Sequence, residues 1–306
     1  MPKFLGYPFR LYMTINDKKR MKTLPHYEEG FEVESDIRYA PKCGKFHKFD
    51  FIIPNGTKDE VTPVIIDIHG GAYYFGYKWI NDDICRYFAI KSGYKVVNAN
   101  YRIVGFGTNM FTGIKDVVAM IKYVYDHADE LKIDKNNIFL MGDSAGGHIM
   151  SLAATCFYNE EYRKALGIEI DKEIKFNALA LTCAVFSFDP YLDSKVLKPF
   201  IKDIVCRKLG EGSEKYKLSQ FKEQYIIGSM PIILNSAFGD FLRKQTLEIY
   251  DYLQEKGNEC KKIFYEEAEI KDRKLEHVYN VMFPFYEESV KTNDEIIEFF
   301  KAHLNK

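Results

Sequence analysis

Apolar and polar residues alternate along the chain in blocks that predict a series of strands and helices. The pattern first predicts a strand region over 36–54. Short apolar runs then predict buried strands at residues 61–68, 94–101, 136–141, 176–185, 232–237 and 261–265. Apolar residues at helical spacing predict a long helix over 111–131, and shorter helices are expected at 149–154, 242–256 and 295–303. Because the strands alternate with helices and are apolar throughout, we expect an α/β fold with a mostly parallel sheet covered by helices on both faces.

Two segments depart from this alternation. Residues 1–35 are mixed in charge without a clear strand pattern, and Lys18 to Lys22 form a basic cluster that we expect on a solvated helix face. Roughly fifty residues separate the last two long strands, far more than an ordinary helix-to-strand connection. We interpret this insert, approximately residues 186–229, as a helical cap, with a crossover helix and a loop as the alternative.

The end of the chain carries one local signal for a helix boundary. Thr292, Asn293, Asp294 and Glu295 form the pattern of a capping box, in which two side chains satisfy free amides of the first turn. We therefore expect the C-terminal helix to begin at Glu295.

Length and composition limit the class of protein. The 306 residues suffice for one large α/β domain, and no linker or repeat divides them, so we expect a single domain over 1–306. The net charge of −1 gives no electrostatic argument for binding nucleic acid or an anionic membrane. No apolar run approaches the ~18 residues of a membrane span, and the first ten residues lack a signal-peptide pattern, so a cytoplasmic protein is expected.

The spacing of the cysteines and histidines predicts neither a metal site nor a redox motif. The six cysteines show no C-x-x-C spacing and are expected to be reduced thiols. No cluster with the spacing of metal ligands is visible, so the sequence predicts neither a metal nor another cofactor. The oligomeric state is not determined by the sequence, and a homodimer is compatible with it.

The candidate chemistry centres on Gly142-Asp143-Ser144-Ala145-Gly146-Gly147, which lies between a predicted strand and a predicted helix. Strand, G-x-S-x-G and helix form the nucleophile elbow, in which a tight turn exposes a serine at the carboxyl edge of a sheet. Glycine is needed at both ends of the pentapeptide, because Cβ atoms there would collide with the neighbouring strand and helix. The bare pattern also occurs by chance, so further parts of a site are required.

This six-residue stretch resembles the Gly-Asp-Ser-Ala-Gly-Gly of the α/β-hydrolase esterases grouped with hormone-sensitive lipase. Upstream, His69-Gly70-Gly71-Ala72 resembles the His-Gly-Gly-Gly oxyanion loop of that family, with Ala72 in place of the third glycine. The resemblance implies that the backbone N–H groups of Gly71, Ala72 and Ala145 bind the oxyanion, and alanine keeps the N–H that this requires. His69 and His148 are expected to have structural roles.

The family order Ser, Asp, His then places the remaining residues downstream. Asp240 lies just past the predicted strand over 232–237 and is the expected acid. Four other carboxylates compete less well: Asp189 and Asp193 come too early, and Asp272 and Glu276 lie in the loop of the histidine. Alternatively, Asp240 is only the N-cap of the following helix.

Two of the seven histidines, His277 and His303, follow Asp240 in the chain. His303 lies near the end of a helix, where the helix dipole favours a histidine without any catalytic role. His277 lies in a loop whose His277-Val278 resembles the His-Val-Phe of the family. The expected triad is therefore Ser144 as nucleophile, His277 as base and Asp240 as the acid that orients it.

The resemblance covers the chain from about residue 36 onward and implies a serine carboxylesterase. Its substrate would be a small ester with a short, acetyl-like acyl group, transferred to Ser144. In related esterases the N-terminal segment also covers the site, so residues 1–35 are expected as a second cap element. An arylformamidase-like amide hydrolase and a carbohydrate acetyl or feruloyl esterase remain alternatives. A non-catalytic ligand receptor is more remote, because such proteins usually lose a triad residue and this chain keeps all three.

Overall fold

The central sheet is described by a computed structural model that covers residues 2–41, 44–105, 107–210, 212–267 and 273–305. Its strands within these residues are β1 (Phe31–Arg38), β2 (Lys48–Pro54), β3 (Thr62–Ile68), β4 (Lys95–Ala99), β5 (Ile133–Asp143), β6 (Ala178–Thr182), β7 (Ile232–Ala237) and β8 (Cys260–Tyr265). They lie in the order β1-β2-β4-β3-β5-β6-β7-β8. The pairs β1–β2 and β2–β4 are antiparallel, and the remaining neighbours are parallel. The predicted α/β fold with a mostly parallel sheet is therefore confirmed.

Helices pack against both faces of this sheet. The described helices are α1 (Pro2–Met21), α2 (Asp82–Ser92), α3 (Met110–Asp126), α4 (Ser144–Tyr158), α5 (Glu160–Ala165), α6 (Leu197–Ile204), α7 (Glu214–Lys217), α8 (Phe221–Gln224), α9 (Arg243–Glu255), α10 (Tyr279–Met282) and α11 (Glu287–Ala302). One core contains buried residues of α3, α4 and α9, and the other contains those of α2, α10 and α11.

The strand β3 shows why the buried strands are apolar without alternation. Val64, Ile66 and Ile68 belong to one core, whereas Ile65 belongs to the other. Successive side chains of a strand point to opposite faces, so a strand covered on both sides needs apolar residues at every position. The exception within β3 is Asp67, which is completely buried.

The N-terminal helix and the long insert meet at the carboxyl edge of the sheet. Helix α1 packs against α6. The ring of Phe9 lies edge-on to Phe75, with 5.9 Å between the ring centroids, and Arg10 donates to the carbonyl oxygen of Tyr74 over 2.7 Å. The division of the chain into one domain with two cap elements stays a prediction. None of the described helices combines the length and the apolar character needed to cross a bilayer.

The predicted start of the C-terminal helix was wrong. Helix α11 begins at Glu287, about two turns before the expected start at Glu295. Thr292 and Asn293 are completely buried within it. The Thr292 hydroxyl lies 2.7 Å from the hydroxyl of Tyr279, and the Asn280 amide donates to Asn293 over 2.9 Å. These polar side chains therefore join α11 to α10 instead of capping a helix end.

The first five residues of β1 lie in the segment over 1–35, where the pattern did not reveal a strand, and its last three lie in the predicted strand region over 36–54. Strand β1 lies at the edge of the sheet, and most of its residues are exposed, so its sequence shows no buried apolar run. The basic cluster is only partly solvated: Lys18, Lys19 and Lys22 are exposed, but Arg20 donates to the carbonyl oxygen of Met282 over 2.6 Å.

Candidate active site

The loops that follow parallel strands bring the candidate residues to one edge of the sheet. Each strand contributes from its carboxyl end: His69 to Ala72 follow β3, Ser144 follows β5, Asp240 follows β7, and His277 lies between β8 and α10. Parallel strands share this edge, which is where α/β folds place their sites.

Ser144 occupies the strained turn that the motif predicts. It is the first residue of α4 and has a φ of 50°, in the left-handed region that side chains rarely adopt. A Cβ atom at Gly146 would collide with the carbonyl oxygens of Ile68 and His69, and one at Gly142 would lie 3.1 Å from the backbone of Gly146. The glycines thus allow β3, β5 and α4 to approach closely enough to expose the serine.

The side chains of Ser144, His277 and Asp240 form a hydrogen-bonded chain. The Ser144 Oγ lies 2.8 Å from His277 Nε2, and His277 Nδ1 lies 2.6 Å from Asp240 Oδ1. An ionised carboxylate only accepts hydrogen bonds, so Nδ1 carries the proton and Nε2 is left to accept the serine proton. This is the geometry in which a histidine acts as a general base.

Asp240 is held as a carboxylate by its donors. Burial would raise its pKa, but the hydrogen bond from His277, its charge when protonated, and the hydrogen bonds from Ser236 and Leu242 lower it below the ordinary value. The Ser236 hydroxyl donates to Oδ2 over 2.7 Å, and the Leu242 N–H donates to Oδ1 over 2.9 Å. Asp240 therefore accepts hydrogen bonds both from the turn before α9 and from His277. The alternative that it is only a helix N-cap was wrong, because the N-cap of α9 is Leu242.

The loop after β3 has a strained backbone conformation. Gly71 has a φ of 123°, and a Cβ atom there would collide with the carbonyl oxygen of Phe75. Ala72 and Tyr73 have φ values of 48° and 67°, a strained geometry outside glycine. Among the described residues, no backbone carbonyl accepts from the N–H of Gly71 or Ala72. The N–H of Ala145 lies in the first turn of α4, where intrahelical acceptors are missing.

His69 supports this loop without taking part in proton transfer. Its Nδ1 lies 2.7 Å from the carbonyl oxygen of Gly70, and its ring stacks on Tyr101. The Tyr101 hydroxyl donates to the carbonyl oxygen of His69 over 2.9 Å. Burial lowers the pKa of His69 to about 4, so the ring is neutral near pH 7.

Two further carboxylates lie beneath the loop, and sequence analysis assigned no role to either. Asp143 Oδ1 accepts the Gly70 N–H over 2.9 Å and the Asn81 amide over 3.0 Å. The same amide donates to Asp67 Oδ2 over 2.9 Å, and the Cys85 thiol donates to that oxygen over 3.4 Å. Burial, followed by the charge of Asp143, raises the pKa of Asp67 to about 8. An aspartate inside an otherwise apolar strand was the signal for this cluster.

The competing residues lie in other environments. The Asp189 carboxylate accepts the Tyr216 hydroxyl over 2.6 Å. The side chain of Glu276 is 66% exposed beside Lys274. Asp193 is exposed, and Asp272 lies outside the described residues.

The other two histidines discussed above have structural partners. His148 is completely buried between the Tyr73 hydroxyl, 2.6 Å from Nδ1, and the carbonyl oxygen of Ser219, to which Nε2–H donates over 2.9 Å. Burial lowers the pKa of His148 to about 3. His303 Nε2 lies 2.8 Å from Glu259. Among the described residues, one group of three side chains could hold a metal: Cys183, Asp240 and His277. Asp240 and His277 are already hydrogen-bonded to each other in the series that begins at Ser144.

A cavity of about 460 Å³ opens beside Ser144. Its walls come from α1, the oxyanion loop, the long insert and the turn before α9, with Phe9, Tyr74, Phe200 and Phe241 among the lining residues. Every lining residue is uncharged, and apart from tyrosine hydroxyls and Ser144 the side chains are apolar. The cavity therefore suits an uncharged, largely apolar group bound to the serine.

Comparisons with known proteins match parts of the chain to esterases. The family model described as BD-FAE matches residues 49–194. The chain is 28% identical over 153 residues to Esterase LipI of Mycobacterium tuberculosis, covering 48% of this chain and 47% of that protein. It is 34% identical over 92 residues to Carboxylesterase NlhH of the same species, covering 30% and 28%. The matches thus span about half or less of these curated relatives.

Solved structures match over nearly the whole chain. An inhibited esterase B from Lactobacillus rhamnosis superposes with a TM-score of 0.87 at 21% identity, covering 99% of this chain and 96% of that one. EstE1, a thermostable carboxylesterase from a metagenomic library, gives a TM-score of 0.74 at 18% identity, covering 98% of each chain. At these identities the likeness establishes the fold. The chain therefore has the α/β-hydrolase fold, and parts of its sequence are similar to an esterase and a carboxylesterase.

Proposed function

We propose that this chain is a serine carboxylesterase that hydrolyses small short-chain acyl esters through an acyl-enzyme on Ser144. The observation that carries the proposal is the hydrogen-bonded chain from Ser144 through His277 to Asp240, beside an apolar cavity. The names of the relatives LipI and NlhH, an esterase and a carboxylesterase, support the same reaction class.

In the first half of the reaction, Ser144 Oγ attacks the ester carbonyl carbon and its proton moves to His277 Nε2. The negative charge that forms on the carbonyl oxygen is bound by the N–H groups of Gly71, Ala72 and Ala145. Asp240 stabilises the imidazolium through the Nδ1–H bond. When the tetrahedral intermediate collapses, the carbon–oxygen bond of the ester breaks, the leaving alcohol takes the proton from Nε2, and the acyl group stays on Ser144.

In the second half, water replaces the alcohol. His277 Nε2 takes a proton from the water as it attacks the acyl carbon, and the oxyanion forms again at the same N–H groups. Collapse breaks the bond to Ser144 Oγ, which regains its proton from His277, and the carboxylic acid leaves. In each half-reaction His277 Nε2 first accepts a proton and then returns it.

The cavity supports an uncharged substrate of limited size. Its volume of about 460 Å³ has to hold the acyl group, the alcohol and the attacking water. We therefore expect acetate to butyrate esters of p-nitrophenol to be hydrolysed faster than palmitate. N-formylkynurenine, the substrate of the amide alternative, carries a charged amino-acid group for which the lining offers no charged partner. Faster turnover of N-formylkynurenine, or a rate increase at an oil–water interface, would contradict this assignment.

Covalent labelling tests the nucleophile directly. A fluorophosphonate should label the wild type with one equivalent, and Ser144→Ala should lose both labelling and turnover. Ser151→Ala is a matched control on α4, because Ser151 is completely buried and donates to the carbonyl oxygen of His148. It should keep both. Labelling that persists in Ser144→Ala would refute the mechanism.

A further inference from the structure

A cysteine lies against the acid and the histidine of the proposed triad. Cys183 follows β6, between the ends of β5 and β7, and is completely buried with a φ of 45°. Its Sγ, an oxygen of Asp240 and a ring nitrogen of His277 lie within 4.8 Å of one another. Backbone strain of this kind clusters at functional sites.

The sulfur of Cys183 accepts a backbone hydrogen bond from the loop that carries the histidine. The N–H of Val278 donates to Sγ over 3.3 Å. Val278 follows His277 directly and has a φ of 50°, so the backbone at this point is itself strained. On the other side of His277, the Gly239 N–H donates to the carbonyl oxygen of Leu275 over 3.0 Å. His277 is therefore held between two anchors, one of which is Cys183.

An oxygen of the Asp240 carboxylate lies within 4.8 Å of the Cys183 sulfur. Burial, followed by the nearby charge of Asp240, raises the pKa of this thiol well above its ordinary value, and the hydrogen bond to that carboxylate acts in the same direction. The thiol is thus neutral near pH 7 and able to donate. Cys183 therefore lies beside the acid and accepts a hydrogen bond from the loop of the base.

We propose that Cys183 is a positioning residue that holds Asp240 and His277 in register by donating to the carboxylate and accepting the Val278 N–H. This inference rests on the proposed function. A hydrogen-bonded pair of catalytic side chains needs such support, because a shift of about 1 Å costs on the order of a hundredfold in rate. Hydrogen bonds from Ser236 and Leu242 hold Asp240 alone, whereas Cys183 links it to the backbone next to His277.

The chain offers a matched control in Cys156. This cysteine is also completely buried, and burial raises the pKa of its thiol to about 12. Its Sγ donates to the carbonyl oxygen of Leu152 within α4, over 3.4 Å. Replacing Cys156 removes the same number of atoms from the core without touching the triad.

The experiment compares Cys183→Ala, Cys183→Val and Cys183→Ser with Cys156→Ala and the wild type. For each, kcat and KM for p-nitrophenyl butyrate, the rate of fluorophosphonate labelling and the melting temperature are measured. We expect Cys183→Ala and Cys183→Val to lower kcat and the labelling rate by about tenfold or more, with KM nearly unchanged. Cys183→Ser should recover most of the loss, because its hydroxyl donates and accepts. Cys156→Ala should keep the wild-type kcat.

The outcomes separate the two proposals. If Cys183→Val, which fills the space without hydrogen bonds, retains the wild-type kcat and labelling rate, the positioning role is overturned. A folded Cys183→Ser variant as slow as Cys183→Val would overturn it too. If the wild type itself is not labelled at Ser144, the proposed esterase mechanism fails, and the positioning role fails with it.

Discussion

Asp240 and Asp67 are both buried at the carboxyl edge of the same sheet, but they are held in opposite protonation states. Asp240 accepts hydrogen bonds from His277, Ser236 and Leu242, and these lower its pKa despite burial. Asp67 accepts only the Asn81 amide and the Cys85 thiol within the described residues, and lies near the charge of Asp143. Burial therefore raises its pKa to about 8.

The comparison teaches that burial alone does not select a catalytic carboxylate. A buried carboxylate stays ionised when several donors and a histidine face it, and becomes a neutral structural group when they do not. Only the ionised kind can stabilise an imidazolium. Asp240 and Asp67 are chemically identical side chains at the same edge of the sheet. Their different hydrogen-bond donors give them different roles.

Asp240→Asn should have the largest effect of the variants that test this comparison. Without the carboxylate, His277 samples the wrong tautomer and its cation is not stabilised, which costs on the order of 10⁴ in kcat in serine proteases. KM and the melting temperature should change little. Steady-state kinetics on p-nitrophenyl butyrate provide the measurement, and near-wild-type turnover would show that the acid has been misassigned.

Asp143→Ala should have an intermediate effect, because Asp143 supports the oxyanion loop without touching the substrate. The variant leaves the N–H of Gly70 without its acceptor, which should destabilise the fold by about 1–3 kcal/mol. We expect kcat to fall by roughly tenfold to a hundredfold as the loop shifts. Asp143→Asn keeps an acceptor oxygen. It should therefore lose less kcat and less of the free energy of unfolding, measured by urea denaturation. Equal losses in the two variants would contradict this role.

Asp67→Asn should affect stability and not catalysis. Because the pKa of Asp67 is raised in the folded state, its favourable contribution is complete below the ordinary value of 3.8 and is lost as the pH rises through about 8. The variant cannot ionise, so its melting temperature relative to the wild type should increase between pH 5 and pH 9. The exposed Asp129→Asn serves as the control. A stability difference that does not change with pH would argue against a neutral Asp67.

Glu276→Gln should have the smallest effect. This carboxylate is adjacent to His277 in sequence, but its side chain is 66% exposed and pairs with Lys274 over 3.5 Å. Exposed ion pairs contribute about 0–1 kcal/mol, so we expect kcat to remain within about twofold of the wild type. A large loss in Glu276→Gln, together with active Asp240→Asn, would reverse the assignment of the acid.

The interior strands of the central sheet were predictable because nearly all of their residues are buried and most are apolar. The edge strand β1 was not, since its exposed residues carry no such pattern. Local signals also misled at the C-terminal helix, where Thr292 and Asn293 matched a capping box but bond to α10. A short polar side chain has the same sequence signature at a helix end and at a buried helix contact.

The sequence by itself determined the elbow around Ser144 and the loop at Gly71, because their chemistry depends on steric limits within a few neighbouring residues. Only the tertiary structure decided which carboxylate meets the histidine, since Asp240 and His277 lie 37 positions apart and His277 and Ser144 lie 133 apart. The apolar cavity, the neutral Asp67 and the contacts of Cys183 depend likewise on distant segments. The burial of a side chain and its hydrogen-bond partners depend on packing. Packing brings together residues that are far apart in the sequence, so no local pattern can predict these contacts.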